Sequence, residues 1–220
     1  MSHSTVPDPG LARVAVYLPE ATLGNAELVE RFGFEREFLD EKIGVLSRHI
    51  AAADEAVSDM AVAASERLFA AAPEAREKIE LVVLCTQNPD YRLPTTANIV
   101  QHRLGLAQTV AAFDINQGCS GYVVGLSVTR AMMMAHGFHN ALLLTADGYS
   151  KVMDPADRMT VPLFGDGAAA TLLSVEGRGK LGQFTFGSDG SGADDLIVRG
   201  GGSRNPEQPV SGPGALYMNG

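Results

Sequence analysis

Three short apolar runs alternate with longer segments of helical periodicity. The runs are IELVVLCT (79–86), TVAAFDIN (109–116) and NALLLTAD (140–147). A run that is apolar throughout is typical of a strand buried on both faces of a parallel sheet. The segments SDMAVAASERLFAAA (58–72) and SGYVVGLSVTRAMMMAHG (120–137) have helical spacing. The alternation predicts an α/β fold with helices on both faces of a central sheet.

Further strands make that predicted sheet mixed. LARVAVYLP (11–19) alternates and stops at a proline, which predicts a strand. GAAATLLSV (167–175) and LGQFTFGS (181–188) read as two strands joined by the hairpin-like EGRGK, with no helix between them. After Ser188 the chain is rich in Gly, Pro and Ser, which predicts a long loop. A new element is expected to begin in ALYMNG (215–220).

Shorter helices are predicted between these strands. NAELVERFGF begins at Asn25, a candidate N-cap, and REFLDEKIGV is expected to form a second, short helix. TTANIVQHRLG is expected to be a helix that ends at Gly105.

The 220 residues suffice for one large core, so we expect a flexible terminus over 1–10 and one domain over 11–220. The net charge of −9 argues against binding to nucleic acid or an anionic membrane surface. The chain has no apolar run of 18 residues, and its start lacks the order of a signal peptide. We therefore expect a cytoplasmic protein in which Cys85 and Cys119 are reduced. No Cys/His cluster has metal-ligand spacing, so no metal site is predicted.

The stretch FDINQGCSGYVVGL places Cys119 between a strand that ends near Asn116 and a helix that starts at about Cys119. Gly118 and Gly121 allow a sharp bend and close approach of another element. The free N–H groups of a helix N-terminus favour a thiolate, and the N–H of Cys119 could donate to an oxyanion. This is the arrangement of a nucleophile elbow with cysteine in place of serine. The alternative is a small buried hydrophobic residue, which is the interpretation we favour for Cys85.

Three separated motifs carry a resemblance to a known family. AFDINQGCSGYVVGLS (112–127), DPADRMTVPLFGDGAAATLL (154–173) and SRHIA (47–51) resemble β-ketoacyl-acyl carrier protein synthase III, a condensing enzyme of the thiolase superfamily. The likeness runs from about Val14 to Gly220. It implies a thiolase-like fold and acyl transfer from acyl-CoA to Cys119. It also implies decarboxylative Claisen condensation with malonyl-acyl carrier protein, in fatty acid or polyketide-type biosynthesis. The implied enzyme is a cytoplasmic homodimer that needs no cofactor beyond its thioester substrates.

In that family the cysteine works with a histidine in a His-Gln-Ala-Asn motif and with an asparagine that follows a glycine. Both belong to the second half of the family's pseudo-dimer of two α/β halves. The histidines here are His3, His49, His102, His136 and His139, and none precedes Gln-Ala-Asn. We expect each to be a surface or structural residue. The chain thus resembles the N-terminal half, and we expect it to be inactive alone. A truncated form, a fragment of a longer frame and a natural half with a partner chain all remain open.

The resemblance also implies substrate-binding residues. Arg158 matches an arginine that flanks the adenine of coenzyme A. Phe38 stands where the family often has tryptophan, and Lys42 where arginine is usual, which weakens stacking and bidentate pairing. Leu93 matches a position, often phenylalanine, that reaches across the dimer interface into the partner's acyl pocket. A surface salt bridge for Arg158 and plain interface packing for Leu93 are the structural alternatives. FGDGAAA (164–170) lacks the Lys-Ser/Thr of a phosphate loop and is expected to be a structural turn.

Two other functions stay open beside the condensing enzyme. One keeps the fold and passes the acyl group to a different acceptor, as an acyltransferase or a related condensing enzyme of secondary metabolism. The other is a non-catalytic half that serves as a scaffold for a complete synthase. A downstream reading frame with His-Gln-Ala-Asn and Gly-Asn would favour the condensing enzyme.

Overall fold

The computed structural model describes residues 6–213 and 215–219. Its strands are β1 Gly10–Tyr17, β2 Ala21–Gly24, β3 Ser47–Ile50, β4 Leu81–Cys85, β5 Ala111–Ile115, β6 Asn140–Gly148, β7 Asp166–Ser174, β8 Gly179–Lys180, β9 Leu196–Val198 and β10 Leu216–Met218. Its α-helices are α1 Asn25–Phe32, α2 Val57–Ala71, α3 Thr96–Arg103 and α4 Gly121–His136, and Phe38–Ile43 forms a π-helical turn. His3 and the rest of residues 1–5, part of the expected flexible terminus, lie outside the described residues.

Six strands form one mixed sheet in the order β5-β4-β6-β7-β1-β8. Strand β4 pairs in parallel with β5 and β6, so that Leu81 lies opposite both Ala111 and Ala141. Strand β1 pairs antiparallel with β7 and β8. The predicted mixed sheet is confirmed. Strand β5, expected to be buried on both faces, lies at the edge of this sheet, and its residues are only half-buried.

Helix α4 covers one face of the sheet. Leu81 and Val83 of β4 form a core cluster with Leu126 and Met133 of α4. The helix approaches closely at Gly125, because a Cβ there would lie 2.8 Å from the Cδ1 of Leu143. Alternate residues of a strand point to opposite faces, so Val82 and Leu84 point away from α4.

Helices α3 and α2 lie on the other face. Asp114 is opposite Leu84 in the β4–β5 register, and its carboxylate accepts hydrogen bonds from the first N–H groups of α3. Helix α2 packs beside α3, with Arg103 donating to the Oγ of Ser58 at 2.7 Å. The predicted placement of helices on both faces is thereby confirmed.

The chain divides into two compact units. Within the described residues, the sheet unit comprises 6–18, Glu55–Asp147 and Gly167–Phe184. The hairpin unit comprises Pro19–Asp54, Gly148–Asp166, 185–213 and 215–219. The expected domain over 11–220 therefore contains two such units.

The hairpin unit has a small core of its own, formed by Leu23, Leu28, Leu39 and Val161. Its strands β2 and β3 pair antiparallel, with Ala21 opposite Ile50. The buried Arg48 belongs to this pairing and donates to the carbonyl of Pro162 at 2.8 Å. Burial lowers the pKa of Arg48. This bond ties β3 to the segment that carries Arg158.

Two predictions about secondary structure near the end of the chain were wrong, and a third, that an element begins in ALYMNG, is confirmed. Residues 181–188 do not form a strand, and only Gly179–Lys180 pairs with β1. The reason is that Lys180 lies opposite Gly10, the first residue of β1, so nothing remains for later residues to pair with. The apolar residues Leu181 and Phe184 pack against the core cluster instead. The predicted long loop contains β9, and the element expected to begin in ALYMNG is β10, which pairs with β9.

Two predicted helices also differ from the structure, one in its first residue and one in its type. Asn25 is the first residue of α1 rather than its N-cap, and the N-cap is Gly24. The Nδ2 of Asn25 donates to Asp40 at 2.6 Å, and its amide oxygen accepts from Arg48. The buried side chain of Asn25 therefore hydrogen-bonds to these two partners and does not cap the helix. The short helix predicted in REFLDEKIGV is the π-helical turn, which ends at Gly44 with φ 75°.

Candidate active site

The turn between β5 and α4 exposes Cys119. Helix α4 begins at Gly121 with Ser120 as its N-cap, so Cys119 lies two residues before the helix rather than at its start. The N–H of Gly121 donates to the carbonyl of Gly118 at 2.7 Å, which closes the turn. The Ser120 hydroxyl donates to the side chain of Gln117 at 3.1 Å. In the described part of the chain, the thiol of Cys119 is exposed and makes no hydrogen bond.

Both glycines of the turn are in close contact with neighbouring side chains. A Cβ on Gly118 would lie 2.6 Å from the Oε1 of Gln87. A Cβ on Gly121 would overlap the Sγ of Cys85. The prediction that these glycines allow another element to approach is confirmed, and that element is the end of β4 together with Gln87 just beyond it.

Cys85 differs from Cys119 in its exposure and in its hydrogen bonding. It is buried as the last residue of β4, and its thiol donates to the carbonyl of Gln117 at 3.3 Å. Burial raises the pKa of the Cys85 thiol, and the negative charge of Asp147 raises it further. Cys85 is therefore held as a neutral thiol beneath the turn.

Two aspartates that were not predicted from the sequence support the same end of the sheet. The carboxylate of Asp114 accepts from the N–H groups of Thr96 and Ala97, each at 2.8 Å. The carboxylate of Asp147 accepts from the N–H of Gln87 at 2.8 Å and from the hydroxyl of Thr86 at 3.1 Å. In the sequence, each is an Asp at the carboxyl end of an apolar run that predicts a strand. Unpaired N–H groups of loops and helix N-termini lie at that end of a sheet, so an Asp there could have been predicted as their acceptor.

The residues expected to bind coenzyme A lie in the hairpin unit. Phe38 is 44% exposed at the start of the π-helical turn, and Lys42 is exposed in the same turn. The guanidinium of Arg158 lies 4.9 Å from the ring centroid of Phe34. The ring of Phe34 also stacks on Phe38, with the centroids 6.0 Å apart. The structure thus brings Arg158 and Phe38 to one aromatic partner, Phe34, which was not predicted from the sequence.

Leu93 lies in the sheet unit, between β4 and α3. Its side chain is 81% exposed, and the nearby Tyr91 is 63% exposed. Leu93 is therefore not part of the core of the sheet unit.

The described histidines contact neighbouring groups or lie at the surface, as His102 does. The Nδ1 of His49 pairs with the carbonyl of Pro19 at 2.6 Å. His136 stacks on Phe138 with ring centroids 5.6 Å apart, and His139 lies 3.9 Å from Glu80. Over 6–213 and 215–219, no three His, Cys, Asp or Glu side chains are grouped to hold a metal ion. None of the helices in these ranges is long and apolar enough to cross a membrane.

Comparison with known proteins agrees with this geometry. The family model described as 3-oxoacyl-[acyl-carrier-protein (ACP)] synthase III matches residues 113–190, which include the Cys119 turn. The β-ketoacyl-[acyl-carrier-protein] synthase III of Caldanaerobacter subterraneus subsp. tengcongensis is 38% identical over 199 residues, covering 90% of this chain and 60% of that protein. Acetoacetyl CoA synthase NphT7 of Streptomyces sp. (strain CL190) is 40% identical over 197 residues, covering 86% and 58%.

Among solved structures, a crystal structure of 3-oxoacyl-(acyl-carrier-protein) synthase III superposes with a TM-score of 0.90 at 40% identity. The match covers 97% of this chain and 68% of that one. A mixed sheet with helices on both faces, carrying a cysteine on a strand–turn–helix, defines a thiolase-like α/β protein, as predicted. The chain belongs to the β-ketoacyl-[acyl-carrier-protein] synthase III family. It spans about 60% of the length of the curated relatives it matches.

Proposed function

We propose that this chain is the nucleophile-bearing part of a condensing enzyme of the β-ketoacyl-acyl carrier protein synthase III type. The observation that carries the proposal is the exposure of Cys119 on the turn before α4, while the other cysteine is buried and hydrogen-bonded. An acylated residue has to be reached by a thioester, and only Cys119 meets that requirement among the two thiols.

The proposed first step is transfer of an acyl group from acyl-CoA to Cys119. The Cys119 thiolate attacks the thioester carbonyl, and a new S–C bond forms as the carbonyl oxygen takes up negative charge. The intermediate collapses, the bond to the coenzyme A sulfur breaks, and coenzyme A leaves as a thiolate that is then protonated. The N–H of Cys119 itself is suited to stabilise the oxyanion. The step uses no cofactor.

The proposed second step is condensation with malonyl-acyl carrier protein. Carbon dioxide leaves the malonyl group, and the resulting enolate attacks the acyl carbonyl on Cys119, which releases the Cys119 thiolate. The family's His and Asn, which stabilise the enolate, match no residue of this chain. Loss of one such donor lowers a rate by about 10²–10³-fold. We therefore expect no steady condensation by this chain alone, and product formation at an ordinary enzymatic rate would contradict this.

The hairpin unit supports coenzyme A as the acyl carrier. Arg158 and Lys42 supply positive charge, and Phe38 supplies an exposed aromatic ring. A guanidinium can pair with phosphate and stack on a flat ring system. We propose that these side chains hold the adenine nucleotide end of the donor.

The test is acyl labelling followed by peptide mass spectrometry. With acetyl-CoA as donor, we expect one acetyl group on the peptide that contains Cys119. The Cys119→Ala variant should take up none, whereas the matched control Cys85→Ser should still be labelled. Label on any other residue, or label that persists in Cys119→Ala, would remove the basis of the proposal.

A second candidate function keeps the acylation and changes the acceptor. It is favoured by the 40% identity to a protein named acetoacetyl CoA synthase. That name describes a product that is a thioester of coenzyme A. A complete enzyme of this kind would use malonyl-CoA in place of malonyl-acyl carrier protein. Comparison of kcat/KM for these two substrates separates the candidates.

We also propose that the complete enzyme is a homodimer in which Leu93 reaches the partner's acyl pocket. The 81% exposure of Leu93 supports a contact with another chain. A leucine is smaller than the usual phenylalanine and would leave room for a longer or branched acyl group. Leu93→Phe should then shift the preference towards shorter acyl groups without lowering the rate for acetyl-CoA.

A further inference from the structure

Cys85 contacts the Cys119 turn on both sides. Its thiol donates to the carbonyl of Gln117, two residues before Cys119, at 3.3 Å. Its Sγ also occupies the space that a side chain on Gly121, two residues after Cys119, would fill. One buried atom at the end of β4 therefore holds both ends of the turn.

The bond to Gln117 sets the direction of a peptide group. In a trans peptide the C=O and the following N–H point in opposite directions. Because the Gln117 carbonyl points at the Sγ of Cys85, the N–H of Gly118 points away from Cys85 and from the end of β4. The positive end of this peptide dipole therefore lies on the side of the turn that faces away from Cys85.

The donor stays available because the Cys85 thiol stays protonated. Burial raises the pKa of Cys85, and the nearby Asp147 adds to this effect. Asp147 is itself fixed by bonds from the N–H of Gln87 and the hydroxyl of Thr86. A thiolate in place of the thiol would repel the Gln117 carbonyl instead of binding it.

We propose that Cys85 is a positioning residue for Cys119. Its thiol orients the Gln117–Gly118 peptide so that an N–H, and not a carbonyl oxygen, faces the side on which the Cys119 thiolate reacts. Without this bond the peptide is free to turn, and a carbonyl oxygen on the outer side would disfavour the thiolate. The proposal rests on the proposed function in taking Cys119 as the nucleophile.

The test measures alkylation of Cys119 by iodoacetamide in the full chain, followed by peptide mapping at pH 7 and pH 10. A hydrogen bond contributes about 1 kcal/mol net, which corresponds to about fivefold in rate. Cys85→Ala is expected to react about fivefold more slowly at Cys119 at pH 7, and the deficit should be smaller at pH 10, because a higher pH favours thiolates in general. Cys85→Ser keeps a donor and should react like the unsubstituted chain.

The double variant Cys85→Ala, Gly121→Ala separates hydrogen bonding from packing. The new methyl group on residue 121 fills the space left by the removed sulfur, so the urea midpoint should recover towards that of the unsubstituted chain. The pH 7 deficit should remain, because no donor has been restored. Val82→Ala is the matched control, since it removes buried volume from the same strand on the face away from α4.

Three results would overturn the proposal. These are Cys119 alkylation in Cys85→Ala that equals that of the unsubstituted chain at pH 7, recovery of the rate in the double variant, and an equal deficit in Val82→Ala. If Cys85→Ala fails to fold, the alkylation rates of the double variant and of Cys85→Ser are compared instead. Alkylation needs no thioester, so a failure of acyl labelling would count against the proposed function and leave this measurement unaffected.

Discussion

Exposure and hydrogen bonding separate the two cysteines at the scale of single residues. Cys119 is exposed on its turn. Cys85 is buried beneath the same turn, and its thiol donates a hydrogen bond to the Gln117 carbonyl. A thiolate, not a thiol, is the reactive form, and a buried thiol whose pKa is raised supplies little of it.

We predict that iodoacetamide modifies Cys119 before Cys85 in the native chain at neutral pH. Burial both blocks access to Cys85 and disfavours its thiolate, whereas Cys119 is open to solvent. Peptide mapping over a time course measures the two rates. In urea both cysteines should react at similar rates, which is the control. Native modification of Cys85 ahead of Cys119 would reverse the assignment of the nucleophile.

Phe34 is the second residue whose role depends on its contacts. Arg158 lies over its ring and Phe38 stacks on it, so Phe34 engages the two groups proposed to bind the adenine. A cation over an aromatic ring contributes about 1 kcal/mol, and an aromatic pair a similar amount. An adenine that stacks on Arg158 and Phe38 has to compete with this ring.

We predict that Phe34→Ala binds coenzyme A about fivefold more tightly, because the variant frees Arg158 and Phe38 from a contact worth about 1 kcal/mol. Isothermal titration calorimetry measures the dissociation constant. Phe38→Ala is the paired control and should bind more weakly. Weaker binding by Phe34→Ala would show that Phe34 is instead a wall of the nucleotide site.

At the scale of elements, aspartates at the strand ends cap neighbouring loops and helices. The N-cap residue of α3, Thr95, makes no side-chain bond to the helix, and Asp114 of β5 takes that role by accepting from Thr96 and Ala97. An anion at a helix N-terminus satisfies free N–H groups and interacts favourably with the helix dipole. The α3–β5 contact therefore depends on this one side chain.

We predict that Asp114→Ala lowers the free energy of unfolding by about 1–3 kcal/mol, since it leaves two N–H groups without their acceptor. The midpoint of urea unfolding measures the change. Asp194→Ala is the control, because Asp194 is largely exposed and its pair with Arg199 is a surface ion pair. A midpoint for Asp114→Ala equal to that of the control would mean that α3 is held by packing alone.

At the scale of the whole molecule, the α4 side of the sheet carries exposed apolar side chains. Val14 of β1 lies opposite Thr171, whose hydroxyl donates to Tyr122 of α4 at 3.3 Å, so Val14 and Val16 are on the α4 side. They are 52% and 53% exposed. Val123 of α4 is similarly exposed at 52%. Exposed apolar surface promotes association.

We predict that the 220-residue chain associates with itself at micromolar to millimolar concentration. Light scattering over that range measures the mean mass. Val16→Lys combined with Val123→Lys should reduce association, because it places charge on the α4 side. Leu196→Lys, at an exposed residue of the hairpin unit, is the control and should leave association unchanged. A constant monomer mass across the range would contradict the prediction.

The sequence alone determined the features that depend on neighbours along the chain. Strands β4 and β6 were predicted from continuous apolar runs, and α4 from apolar spacing that ends at Gly137, whose φ of 74° suits glycine. The exposed position of Cys119 has the same local origin, because a strand, two glycines and a helix leave only a short turn between them. These are properties of backbone geometry and periodicity, which a single segment carries by itself.

Only the tertiary structure decided which distant residues meet. Asp114 caps a helix that precedes it in the chain, Phe34 lies against Arg158, and Cys85 lies beneath a turn more than thirty residues later, as its bond to Gln117 shows. Residues 181–188 have an alternating pattern, yet they form no strand because β1 begins at Gly10 and offers no further partner. A strand requires a neighbour to accept its hydrogen bonds, and a cap requires a donor and an acceptor from different elements. Such pairings are set by the three-dimensional packing of the chain and are not contained in any one segment of it.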